Sequence, residues 1–300
     1  MIELERVGYH YPGGAEPVLS DVSLTVPAGE TLLVSGPSGS GKTSLLRTVN
    51  GLVPHFHGGR ISGRVRVGGR DPRDPVALGP AAMSDLVGFV AQDPESQFVT
   101  VRVEDELAFA LENAGTPQAE MDARISQVLD LLSLTPLRRR RIDSLSGGQR
   151  QRVAIGGVLT LAPRVLVLDE PTSQLDPQTA EEVLAHLDRL TRELGLTVVL
   201  AEHRLERVVQ HAGRLCWLPA PGAAPVVGPP RRVLAGIPHP PPLVDLGRRL
   251  GWRPLPLTVA EAAPHAAELS ARLTGTPPAE EEAVTGEPVV EARGLTHRYP

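Results

Sequence analysis

The chain has 300 residues, a formal net charge of −5 and a hydrophobic fraction of 41%. That length accommodates one large domain or two smaller ones with a real core, and the acidic balance excludes a nucleic-acid footprint spread over the whole surface. Cys216 is the only cysteine, which excludes an internal disulfide and suits a reducing compartment, and the chain shows neither the basic start and apolar run of a secretory signal nor an apolar run long enough to cross a bilayer.

In chain order, Thr31-Leu32-Leu33-Val34 reads as a buried strand. It leads into Gly36-Pro37-Ser38-Gly39-Ser40-Gly41-Lys42-Thr43, then Ser44, with Leu45, Leu46 and Val49 at helical spacing and Gly51 as the stop. Strand, glycine loop and helix form the context in which G-x-x-x-x-G-K-[ST] binds phosphate. Lys42 is the only lysine among 30 Lys+Arg. Its compact charge on a flexible stem reaches between phosphates in a way the planar arginine fork does not. Glycines let the backbone curl so that N–H groups from Gly39 to Thr43 face phosphate oxygens, and the helix adds its positive end. Lys42 would bridge the terminal phosphates and the Thr43 hydroxyl would take one position on Mg²⁺.

Residues 63–69 alternate, with Val65 and Val67 inward, as a half-buried strand. Met121, Ile125, Val128, Leu129 and Leu132 line one face of a helix, which reads as plain core. Leu145-Ser146-Gly147-Gly148-Gln149 opens a helix over 149–161 and makes a second anion site from free N–H groups. Val165-Leu166-Val167-Leu168 is a buried strand ending at Asp169-Glu170. Asp176 as N-cap and Pro177 in the first turn open another helix. Val198-Val199-Leu200-Ala201 is a further buried strand, ending at Glu202-His203. Strands alternating with helices predict a mostly parallel α/β sheet.

Fifteen of the 30 prolines fall between Pro219 and Pro288. Residues 236–287 therefore read as a Pro/Ala-rich linker, with short helices at 243–250 and 260–273. Residues 289–300 repeat the pattern of residues 1–12, with Glu291, Tyr299 and Pro300 matching Glu3, Tyr11 and Pro12. A second copy of the domain is expected to begin near Pro288, with the sequence cut short after it. Residues 138–141 are all arginine, the pattern of a solvated face.

With these motifs in place, residues 1–235 resemble the ATP-binding subunit of ABC transporters. The resemblance implies a P-loop NTPase domain of α/β class with an N-terminal antiparallel β subdomain and an inserted helical subdomain. It implies ATP and Mg²⁺ as cofactors. Gly36, Pro37, Ser38, Gly39, Ser40, Gly41, Lys42, Thr43 and Ser44 would bind ATP, and Tyr11 would stack on the adenine in preference to Tyr9. Thr43, Gln92 and Asp169 would hold the metal. Glu170 would act as general base, His203 would contact the γ-phosphate and the water, and Gln92 would report nucleotide state. Leu145, Ser146, Gly147, Gly148 and Gln149 look like the signature motif and Asp176 like part of the D-loop. In this family the signature completes the site of a second, facing domain, so a second ABC ATPase domain, in the same chain or another subunit, is an implied partner.

Gly51-Leu52-Val53-Pro54-His55-Phe56-His57-Gly58-Gly59, Asp93-Pro94-Glu95-Ser96-Gln97-Phe98 and Val103-Glu104-Asp105-Glu106-Leu107-Ala108-Phe109 resemble energy-coupling factor ATPases. Those drive uptake of vitamins or transition-metal ions. The resemblance implies a membrane coupling protein docking near residues 92–113, a small substrate-capture membrane protein, a place on the cytoplasmic face of the membrane and no nucleic-acid partner. The alternative is a soluble ABC-type ATPase acting on ribosomes or DNA. Such proteins typically join their domains by a long charged helix, whereas residues 219–288 are proline-rich. His55 and His57 are too few for a metal site and read as loop residues.

Overall fold

In the computed structural model, which describes residues 1–74, 80–272, 293–294 and 296, the chain opens with β1 (Ile2–His10) and β2 (Leu19–Val26), an antiparallel pair. After β3 (Thr31–Ser35) and α1 (Lys42–Val49), β4 (Arg60–Val67) returns to the far edge of β1, giving the order β2-β1-β4. β4 begins earlier than the alternation predicted. Gly63 lies inside it, opposite the register shift between Glu5 and Gly8, while Val65 and Val67 are buried as expected.

The apolar runs form a second sheet. β5 (Val87–Val90), β6 (Val165–Asp169), β7 (Thr197–Ala201), β8 (Arg214–Trp217) and β9 (Val226–Gly228) join β3 in the order β5-β6-β7-β3-β8-β9. All pairs are parallel except β8 with β9 at the edge. Parallel strands covered on both faces need side chains that are apolar at every position, which is why β6 and β7 are buried throughout. Period-two alternation divides them between two cores. Leu33, Leu166, Leu168, Val198 and Leu200 face one core. Leu32, Val34, Val165, Val167 and Val199 face the other, with α1 and the antiparallel sheet.

The helical insertion lies between β5 and β6. α2 (Val103–Asn113) and α3 (Gln118–Leu131) lead to α4 (Gly147–Leu159). Met121, Ile125, Val128, Leu129 and Leu132 join the first core, as the helical spacing predicts, and Leu107 and Leu111 of α2 join them. Residues 138–141 lie on the surface of this insertion, with Arg138 paired to Glu104 at 2.5 Å and Arg141 to Asp143 at 2.7 Å. α5 (Pro177–Leu194) runs from its Asp176 cap to Gly195 in the left-handed region.

The segment after residue 235 departs from a loose linker. α6 (Pro230–Gly236) and α7 (Pro242–Arg249) each carry proline in the first turn, where its missing N–H costs nothing. The prolines start helices here. Leu234, Ile237 and Val244 are buried in the first core, and the compact unit runs from Met1 to Ala262. α8 (Val259–Arg272) is the last helix among the described residues. The repeat proposed at 289–300 lies, apart from residues 293, 294 and 296, outside the described residues.

Candidate functional site

The parallel strands β3, β5, β6 and β7 deliver their carboxyl ends to one edge of the sheet, where ligands bind in open α/β folds. The glycine loop leaves β3 there. A β-carbon on Gly36 would stand 2.1 Å from the Leu218 carbonyl oxygen, so only glycine lets the loop pass that strand end. α1 starts at Lys42 behind Gly41 in the left-handed region, and no side chain caps it. Its first N–H groups are thereby left for an anion. The Lys42 ammonium donates to the carbonyls of Gly36 at 3.1 Å and Pro37 at 3.2 Å. Burial pushes its pKa down, and the carboxylates of Glu170, Asp169 and Glu202 pull it back up. The buried Ser40 hydroxyl has no hydrogen-bond partner among the described residues, a donor left for a phosphate oxygen.

A cavity of about 440 Å³ opens above the loop, lined by Tyr11, Ser38, Lys42, Thr43 and Ser44 on one side and by Gln92, Glu170 and His203 on the other. The two tyrosines have different environments. Tyr9 is buried, and its hydroxyl donates to the Gly58 carbonyl at 2.9 Å. Tyr11 sits beyond the end of β1, its hydroxyl 2.9 Å from the Ser44 hydroxyl and its ring edge-on to Tyr9. Of this pair, Tyr11 lines the cavity. His55 contacts the Pro72 carbonyl at 3.1 Å, a loop contact.

Glu170 follows the last residue of β6 and adopts φ 50°. Its N–H donates to the Ala201 carbonyl at 3.0 Å, which pins it to the end of β7. One carboxylate oxygen lies 2.7 Å from His203 Nε2, and the other accepts from the Gln92 amide at 2.9 Å. Three strand ends thus meet on one carboxylate. Gln92, read from the sequence as a metal ligand, spends its amide N–H on Glu170, which leaves its carbonyl oxygen for a cation. The Thr43 hydroxyl, the Asp169 carboxylate and that carbonyl are all hard oxygen donors, and Mg²⁺ takes one or two carboxylates beside phosphate and water rather than a full protein cage. The donor set fits Mg²⁺, and no cluster of three or more His, Cys, Asp or Glu suited to a metal exists among the described residues.

The serine-glycine turn is elsewhere. None of Leu145, Ser146, Gly147, Gly148 and Gln149 lines the cavity. Ser146 caps α4, accepting from the Gln149 N–H while its own N–H donates to the Gln149 side chain at 3.0 Å. Asp176 caps α5, accepting from the N–H groups of Gln178 and Thr179 and from the Thr179 hydroxyl at 2.5 Å. The two helix starts touch, since a β-carbon on Gly148 would lie 2.0 Å from Thr179 Cγ2. Gly148→Ala is expected to lower stability by about 1–3 kcal/mol, the usual cost of overpacking, because Thr179 cannot rotate away without losing Asp176. Adding Thr179→Ser, which deletes the clashing methyl and keeps the hydroxyl, should recover most of the lost Tm. An unchanged Tm in the single variant would contradict this packing.

Sequence reasoning assigned no role to Glu202 or Thr172. Glu202 is 2% exposed and binds Thr172 beside the cavity. The available signal was a carboxylate ending an otherwise apolar buried strand.

The glycine loop and the uncapped helix behind it, facing the Glu170 carboxylate and His203 across one cavity, have the arrangement of a nucleoside triphosphate site of P-loop type. The family model for ABC transporters matches residues 19–173. An ABC transporter ATP-binding protein of Streptomyces avermitilis is 56% identical over 92% of this chain and 49% of its own length. One from Pyrococcus abyssi is 44% identical over 72% of this chain and 76% of its own. Among solved structures, cbiO1 from Clostridium perfringens, part of the ABC transporter complex cbiONQ, superposes with a TM-score of 0.73 at 27% identity, covering 90% of this chain and 98% of that one. The chain belongs to the ABC transporter family, as an ATP-binding domain. It spans about half the length of the Streptomyces relative.

Proposed function

We propose that this chain hydrolyses ATP at a composite site shared with a facing ABC ATPase domain, in the same polypeptide or in another subunit. The observation that carries this reading is that the serine-glycine turn stays outside the nucleotide cavity, with only Gly147 reaching a smaller adjoining pocket beside Gln92 and Glu170. Lys42, Thr43, Glu170 and His203 share one cavity, whereas Ser146 and its glycines lie outside it. Phosphoryl transfer proceeds through a loose transition state, so positioning and charge neutralisation do most of the work. Lys42 and the loop N–H groups would hold the triphosphate, with Tyr11 beside the base. Thr43, Asp169 and Gln92 would hold Mg²⁺, which neutralises charge on the phosphates. Glu170 would take a proton from the attacking water while His203 orients the γ-phosphate. Ser146 and the free N–H groups of Gly147 and Gly148 would close on the facing domain's nucleotide, with Asp176 at the junction.

The hydrolysis is read as powering an energy-coupling factor transporter that takes up a vitamin or a transition-metal ion, from the cytoplasmic face of the membrane. The sequence resemblance and the likeness to cbiO1 support it. No helix among the described residues is long and apolar enough to cross a membrane, so translocation would need partners: a membrane coupling protein and a small substrate-capture membrane protein. A groove of about 150 Å³ suits the first. It is lined by Phe98, Val99, Phe109, Ala110, Ala154 and Val158. Val99 is 63% and Phe109 36% exposed. Both belong to the segment after Gln92, whose amide reaches Glu170. The buried Glu106 carboxylate accepts from the N–H groups of Val99 and Thr100, fixing the groove wall.

Phe109→Asp tests this reading. In liposomes carrying the complete protein and its membrane subunits, it should abolish ATP-driven uptake of the labelled vitamin or metal while leaving ATP affinity within about threefold, since the charge would be buried only at the contact. Uptake at the wild-type rate would remove the groove from the coupling route.

A further inference from the structure

We infer that Glu202 is a positioning residue for hydrolysis: its buried carboxylate ties the turn that carries Glu170 to the strand end that carries His203. The inference rests on the reading of Glu170 as the base. One oxygen of Glu202 accepts from both the N–H and the hydroxyl of Thr172, at 3.0 and 2.6 Å. The other accepts from the His203 N–H at 3.3 Å. The main chain of the same residue is tied to the strand feeding the glycine loop. Its N–H donates to the Val34 carbonyl at 3.1 Å, and its carbonyl accepts from the Ser35 hydroxyl at 2.7 Å. One residue thereby joins β3, the turn that carries Glu170 and the end of β7.

Only donors converge on this carboxylate, and no arginine, lysine or histidine pairs with it among the described residues. Burying a carboxylate with no direct ion-pair partner costs free energy, although the Lys42 ammonium is close enough to feel its charge. Burial and the nearby Glu170 push its pKa up, and the bonds from Thr172 and His203 pull it down. An apolar side chain would fill the position without that cost but could not grip Thr172. The grip matters because Glu170 has a left-handed backbone, uncommon for a residue with a side chain. That conformation is held on one side by the Ala201 carbonyl and on the other by the Thr172 anchor. Released at Thr172, the turn keeps its internal bonds from Ser173 to the Glu170 carbonyl but loses its tie to the strand end that carries His203, so the 2.7 Å approach of Glu170 to His203 is less firmly fixed. Glu202 does not line the nucleotide cavity and acts on Lys42 only through its charge, behind Glu170 and Asp169 in size, so its loss should alter ATP binding far less than turnover.

The test measures kcat and KM for ATP in the complete protein with Glu202→Ala, Thr172→Val, Thr172→Ser and the Glu202→Ala/Thr172→Val pair. Glu202→Ala should lower kcat roughly 10- to 100-fold with KM changed less than about threefold, the signature of a lost transition-state contribution. Thr172→Val should lower kcat about tenfold, Thr172→Ser should retain at least about half of it, and the double variant should be no slower than Glu202→Ala alone, as coupled residues require. Wild-type kcat in Glu202→Ala would overturn the inference. So would multiplicative effects in the pair, or a kcat loss matched by equal losses of ATP affinity and Tm. If Glu202→Ala does not fold, the contrast between Thr172→Val and Thr172→Ser decides: equal kcat values overturn it. Normal hydrolysis by Glu170→Gln would instead sink the base assignment itself, which separates the two failures.

Discussion

Glu170→Gln is expected to bind ATP with near wild-type affinity and to hydrolyse it at this site about 10²- to 10⁴-fold more slowly, the range a positioned general base contributes. The substitution keeps the shape of the side chain and removes its basicity. His203 lies 2.7 Å from one carboxylate oxygen and the Gln92 amide 2.9 Å from the other, so the carboxylate is oriented before any water arrives. On the loop side the free end of α1 is untouched, and Lys42 loses only one of the three carboxylates that hold its charge up, with Asp169 and Glu202 remaining. Phosphate release and an equilibrium ATP titration on the same preparation check both halves. Unchanged hydrolysis would refute the role of Glu170.

Lys42→Ala should show the opposite pattern, losing ATP affinity itself. The ammonium donates to the carbonyls of Gly36 and Pro37, bonds it would exchange for phosphate oxygens. A hydrogen bond to a charged group is worth about 1.5–3 kcal/mol, so affinity should fall roughly 10- to 150-fold. Lys42→Arg should not restore it, because the planar fork is wider than the ammonium and the Gly36 turn has no slack against Leu218. Calorimetric titration with Mg²⁺-ATP measures this directly, and a wild-type isotherm would remove Lys42 from the site.

The nucleotide site was legible because its signals are contiguous. Val34 through Ser44 contain strand, loop and helix start in one stretch, and the carboxylates of Asp169 and Glu170 directly follow an apolar run. The apolar runs of β3, β6 and β7 marked buried strands, while their division between two cores came only with the sheet. What stayed hidden depends on distance along the chain. Glu202 meets Thr172 across 30 residues, and no local pattern encodes that pairing. The clash between Gly148 and Thr179 joins two helix starts that separate motifs define. The groove beside Gln92 needs the exposure of Phe109, which helical spacing alone places no better outside than inside. In the proline-rich segment the helices expected at 243–250 and 260–273 are present, and only the expectation of loose packing fails. Composition counts prolines without position, and Pro230 and Pro242 stand where helices begin.

Central to the account is one triphosphate gripped between this chain's glycine loop and a facing domain's serine-glycine turn. Small-angle scattering of the complete Glu170→Gln protein, with and without Mg²⁺-ATP, tests it most directly. Slow hydrolysis should hold the closed form, so the radius of gyration should fall with Mg²⁺-ATP and recover with ADP. A radius indifferent to nucleotide, under conditions where ATP is bound stoichiometrically, would contradict a shared site.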